Sequence, residues 1–100
     1  MKTEATELLW ERRDRLKIFA EIMEAAKGSQ LKTRIMYKVN LSYTQVNEYL
    51  SALTEMGFLR TYKENKKKFY ETTAKGRYYI DNYIEMTNLL KPQKVEIPMF

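Results

Sequence analysis

The chain has 100 residues, 44% of them hydrophobic and 31% charged, with a net charge of +5, no cysteine and no histidine. This is the composition of one globular domain. It excludes disulfides, thiolate metal sites and thiol catalysis, removes the commonest general base and metal ligand, and leaves no apolar run near the roughly 18 residues of a membrane span.

The opening Met1–Glu7 is polar and acidic and has no apolar signal core, which reads as cytoplasmic. Thr3 is placed to cap a first helix, expected over residues 4–27, with Glu4 and Glu7 favourable in its first turn. Leu16, Phe19, Ile22, Met23 and Ala26 form its apolar stripe. Gly28 is the expected left-handed residue beyond its end. The clump Leu8, Leu9 and Trp10 has little of its own domain to pack on, so Trp10 reads either as folded back or as part of a subunit interface.

Ser29 or Gln30 is expected to open a short second helix over 31–39, with Ile35, Met36 and Val39 facing the core. Asn40 and Leu41 make a tight turn. Ser42 and Gln45 then fit the S-x-x-Q capping box of a third helix, expected over 43–56 and stopped by Gly57. Its inward stripe is Val46, Leu50 and Leu53. Phe58–Thr72 reads as a hairpin turning at Glu64–Lys67. Thr73 caps a fourth helix over 74–90, which Lys91-Pro92 ends, leaving a 91–100 tail. Short helix, tight turn, capped helix and hairpin together make a winged helix-turn-helix. The expected class is α+β, mainly α, with a long N-terminal helix and a C-terminal dimerisation helix.

The charge is unevenly placed. Between Phe58 and Arg77 seven basic residues face only Glu64 and Glu71, so this stretch alone carries +5 and the remainder balances to zero. Charge gathered on one hairpin is the footprint expected for a polyanion. No enzyme, metal or cofactor is expected. Gly28, Gly57 and Gly76 are isolated rather than a phosphate loop, and Glu7/Glu11 and Glu21/Glu24 have basic neighbours, as on a solvated helix face.

Lys32-Thr33-Arg34-Ile35-Met36-Tyr37 followed by Asn40-Leu41-Ser42-Tyr43 resembles the second helix and turn of small archaeal winged-helix DNA-binding proteins, the Sso-ten-a type and related predicted transcriptional regulators. Tyr70, Thr73, Lys75 and Gly76 match the Tyr-x-Leu-Thr-x-Lys-Gly ending of many such wings, with Thr72 where Leu is usual. The resemblance covers about Arg15 to Leu90. It implies a winged-helix fold, double-stranded DNA binding and dimerisation through the last helix as an antiparallel coiled coil.

The third helix is then the expected major-groove reader. Ser42, Tyr43, Thr44, Gln45 and Asn47 at its front are the candidate contacts. Asn and Gln suit adenine, and Thr and Ser suit base edges or phosphate. Glu48 and Glu55 share that face, and the helix has no Lys or Arg. Affinity is therefore assigned to Lys32, Arg34 and Lys38 on the second helix and to Arg60, Lys63, Lys66, Lys67 and Lys68 on the wing. A plain polar face, and lysines that only protect a strand edge, are the bland alternatives. Trp10, Tyr79, Tyr83, Met86 and Leu90 are the expected homodimer interface. The expected function is a double-stranded DNA-binding transcriptional regulator, cytoplasmic and nucleoid-associated. The alternatives are a protein-interaction winged helix without a DNA role and a non-specific chromatin-type coat. The wing's lysines weigh against the first.

Overall fold

Apolar residues at helical spacing on four helices converge on one core, closed on one side by a small sheet. The computed structural model describes the backbone of residues 4–90 and the side chains of residues 15–90. The expected roles of Leu8, Leu9, Trp10 and the 91–100 tail lie outside these described residues. The elements are α1 (Glu4–Ala25), β1 (Gln30–Leu31), α2 (Lys32–Val39), α3 (Tyr43–Glu55), β2 (Leu59–Glu64), β3 (Lys67–Thr72) and α4 (Ala74–Leu90). The sheet is antiparallel in the order β1-β3-β2. Among the described residues no helix is long and apolar enough to cross a membrane.

The core holds Ile22 and Met23 of α1 with Ala26 just beyond it, Ile35 of α2, Val46, Leu50 and Leu53 of α3, Leu59 and Tyr70 of the hairpin, and Ile80 of α4. At the end of α1 and along α3 these residues lie three or four apart, the spacing that lines one face, while α2 and α4 each add one. Phe19, Phe58 and Tyr79 pack against this core, and Phe19 meets Tyr49 of α3 edge-on at 5.7 Å between ring centroids.

Two local expectations are corrected. Gly28 does not take the left-handed conformation; Ser29 does, at φ 70°. Helix α1 ends earlier, at Ala25, and tightens as the Lys27 N–H bonds to Glu24 O. Neither Ser29 nor Gln30 caps α2. Gln30 and Leu31 form β1 instead, opposite Tyr70 and Phe69, and Leu31 stands at the N-cap with no side-chain hydrogen bond. Leu31 has the extended backbone usual at an N-cap but no side-chain oxygen to accept a bond, and two residues are too few to show alternation.

The hairpin base is tied to the end of α1. Thr72 is buried, its hydroxyl donates to Met23 O at 2.6 Å and its N–H donates to Ala26 O at 3.0 Å. Met23 lies in the last turn of α1 and Ala26 just past its end, where helical partners run out. The polar residue in place of the usual Leu therefore has a partner. Gly76 completes the junction. A Cβ there would lie 2.5 Å from both Phe58 O and Thr72 Cγ2, so only glycine lets α4 approach this closely.

Candidate nucleic-acid interface

Ser42 caps α3 as a full capping box: Gln45 N–H donates to Ser42 Oγ at 3.1 Å and Ser42 N–H donates to Gln45 Oε1 at 3.0 Å. Asn40, left-handed at φ 63°, closes the preceding helix with its N–H directed at Met36 O and Tyr37 O. The core grip of Val46, Leu50 and Leu53 turns the opposite face outward, so Tyr43, Thr44, Gln45, Glu48, Ser51 and Glu55 are exposed. Gln45 is partly occupied by its cap.

Lys32, fifteen positions earlier, reaches this front. Its ammonium donates to Asn47 Oδ1 at 2.7 Å and stands 4.9 Å from the centre of the Tyr43 ring. A hydrogen bond from the Asn47 side chain, with the Lys32 charge second, holds the Tyr43 phenol below its ordinary value.

The hairpin turns at Asn65 and Lys66, both left-handed at φ 53° and 66°. Such a two-residue turn matches the twist of the strands it joins. The register sets Lys63 directly opposite Lys68 and Glu64 opposite Lys67. Like charges facing across a ladder are unfavourable. Among the described residues Lys63, Lys66, Lys67 and Lys68 make no ion pair, and all four are exposed.

The other basic residues of this stretch are engaged internally. The Arg60 guanidinium pairs with Glu71 and stands 5.1 Å from the Tyr62 ring centre. Lys75 donates to Met56 O at 2.7 Å, and Arg77 donates to Lys27 O at 3.3 Å. Both thus serve the carbonyl ends of α3 and α1. The local excess of +5 is therefore partly internal stabilisation, and the outward part is the four lysines of the hairpin arm.

Lys32, Asn47 and Lys68 line one polar groove of about 580 Å³ between α3 and the wing, with Ser51, Thr61 and Tyr70. An adjoining groove of about 390 Å³ adds Thr33 and Lys67. Arg34 and Lys38 do not join them; they share a separate surface with Gln30 and Tyr37. Thr33, Thr61 and Tyr70 escaped the sequence reading as site residues. Strand alternation places Thr61 and Tyr70 on one sheet face, but only the fold shows that face beside α3.

On α4, Tyr79 is half-buried and its hydroxyl donates to Leu16 O at 2.8 Å, with Tyr83 stacked on it. Met86 and Leu90 are exposed, along with Ile84 and Leu89.

Residues 12–91 match the family described as winged helix-turn-helix. The chain belongs to the winged helix-turn-helix family. Within it, the chain is similar to the uncharacterized protein MJ0287 of Methanocaldococcus jannaschii, with 34% identity over 79% of this chain and 78% of that one. Among solved structures it is similar to Sso10a-2, a DNA-binding protein from Sulfolobus solfataricus, at 28% identity and a TM-score of 0.65, covering 75% of this chain and 82% of that one. AF1382 from Archaeoglobus fulgidus shares the fold at 19% identity and a TM-score of 0.65, over 78% of this chain and 88% of that one. The resemblance to archaeal winged-helix regulators drawn from Lys32–Tyr43 and the wing ending agrees with these matches.

Proposed function

We propose that this winged helix-turn-helix protein is a double-stranded DNA-binding transcriptional regulator that acts as a nucleoid-associated homodimer, with no enzymatic role. The observation that carries the reading is the position of the outward charge. Lys63, Lys66, Lys67 and Lys68 extend along the hairpin arm, and Lys32 stands beside the exposed front of α3. This supports α3 in the major groove, with Thr44 and the free end of Gln45 toward base edges, and the wing on the backbone or in the minor groove. Glu48 and Glu55 reduce non-specific attraction on the reading face, which favours a regulator over a DNA coat. The Lys63/Lys68 pair supports a polyanion partner, because a surface without one gains nothing from facing like charges.

The exposed Ile84, Met86, Leu89 and Leu90, with Tyr83 stacked on Tyr79, support a second copy on α4. A two-fold pair presents two reading helices to one duplex. The test is a gel-shift salt titration on random and genomic duplexes. A regulator shows steep salt dependence and a preferred site. A coating protein shows salt dependence without preference, and a protein-interaction module shows no binding.

A further inference from the structure

The adenine-reading role that the sequence suggests for Asn47 conflicts with its surroundings. Reading adenine takes both ends of the amide, an N–H to N7 and an oxygen accepting from N6. In the structure Oδ1 already accepts from Lys32 at 2.7 Å. The amide orientation is unambiguous, because an ammonium has only hydrogens to offer. The same ammonium stands 4.9 Å from the centre of the Tyr43 ring, and the Asn47 side chain together with the Lys32 charge holds the Tyr43 phenol below its ordinary value. Asn47 is half-buried, whereas Tyr43 is 61% exposed. The exposed phenol and the remaining N–H groups of the lysine are left to donate.

We propose that Asn47 is a positioning residue that holds the Lys32 ammonium beside Tyr43, so that the ammonium and the Tyr43 hydroxyl form a two-donor clamp for one phosphate of the DNA backbone. The inference rests on the DNA-binding reading above and changes the role of Asn47 within it. A phosphate accepts several hydrogen bonds at once and rewards a charged donor. The clamp also accounts for affinity at a helix that has no basic residue of its own. Lys32, brought from α2, supplies the missing charge, and it borders the polar groove that leads to Lys68 on the wing. Phosphate contacts fix the register of a reading helix without carrying sequence information.

Two independent measurements test this. The first needs no DNA: the Tyr43 phenol is titrated by carbon NMR in the parent, Asn47→Ala and Lys32→Met. Both variants are expected to raise its pKa, and an unchanged titration overturns the clamp geometry. The second compares salt-dependent binding to a random duplex and to a site selected from a random pool. Lys32→Met is expected to lower the slope of log K against log salt by about one. Tyr43→Phe and Asn47→Ala are expected to weaken both duplexes by the same factor, and Lys32→Arg to restore the slope. In the Lys32→Met background, Asn47→Ala is expected to add little further loss. If Asn47→Ala spares the random duplex and weakens only the site, Asn47 reads a base and the proposal fails. If the parent binds neither duplex, the DNA reading itself fails, while the titration still decides whether the three side chains are joined.

Discussion

The Thr72 hydroxyl donates to the Met23 carbonyl oxygen at 2.6 Å inside the domain, joining the base of the wing to the last turn of α1. Thr72→Val keeps the shape and removes the donor, leaving a buried carbonyl short of a partner. It is expected to lower stability by about 1–3 kcal/mol. Urea unfolding should show this as an earlier midpoint at unchanged slope. Parent-like stability would make the bond energetically idle.

Alkaline pH should loosen the α1–α4 contact. Burial, and secondarily the neighbouring Tyr83, push the Tyr79 phenol from its ordinary 10 up to about 12. A folded-state pKa above the unfolded one means the protonated phenol favours the native state. That contribution is complete below pH 10 and is lost as the pH rises toward about 12. Unfolding midpoints across this window should fall more steeply for the parent than for Tyr79→Phe, which cannot ionise.

Neutralising the wing should weaken DNA binding and its dependence on salt together. Each phosphate contact contributes about 0.9 to the slope of log K against log salt. Replacing Lys66, Lys67 and Lys68 with Ala should therefore flatten the slope by about two to three units if all three meet phosphates. An unaltered slope would take the wing out of the interface.

Thr44 is exposed in the first turn of α3, clear of the Lys32 clamp and of the capping box. Thr44→Ala should cost about 1–3 kcal/mol at a preferred site and nearly nothing on random DNA. Competition binding on the two duplexes checks this. Equal losses on both would show that the residue only touches backbone.

Met86 and Leu90 are 41% and 59% exposed on one side of α4. Converting both to Asp should give a monomer in sedimentation, with the fold preserved by circular dichroism. DNA affinity should drop by about a hundredfold or more through lost bivalence. A monomeric parent would rule out the α4 pairing.

The readable parts of this chain were those encoded within a few residues. Ser42 and Gln45 announce their reciprocal cap because both partners lie in one turn. The buried stripe Val46, Leu50 and Leu53 follows from helical spacing alone. What escaped depended on distant partners. Gln30–Leu31 becomes a strand only because Tyr70 and Phe69 stand beside it. Ser29, not the glycine before it, takes the left-handed turn because α1 ends early. The Lys32–Asn47 bond spans fifteen positions across a turn, so neither residue betrays the other. The charge of the hairpin was legible as a sum, but its division between internal work and open surface was not. Arg60, Lys75 and Arg77 look like footprint residues until their partners Glu71, Met56 O and Lys27 O are seen.

Gly76 has a geometric consequence beyond its own neighbourhood. With Phe58 O and Thr72 Cγ2 each 2.5 Å from where a Cβ would stand, any other residue would lever α4 away from the sheet. In a two-fold pair built on α4, the lean of that helix determines the distance between the two α3 fronts. B-DNA repeats the same groove face about every 34 Å along its axis. If the proposed α4 pair forms on DNA, the hydrogen that replaces a side chain at Gly76 would act as a calibration mark, setting which operator spacing the pair could straddle from a position that touches no base.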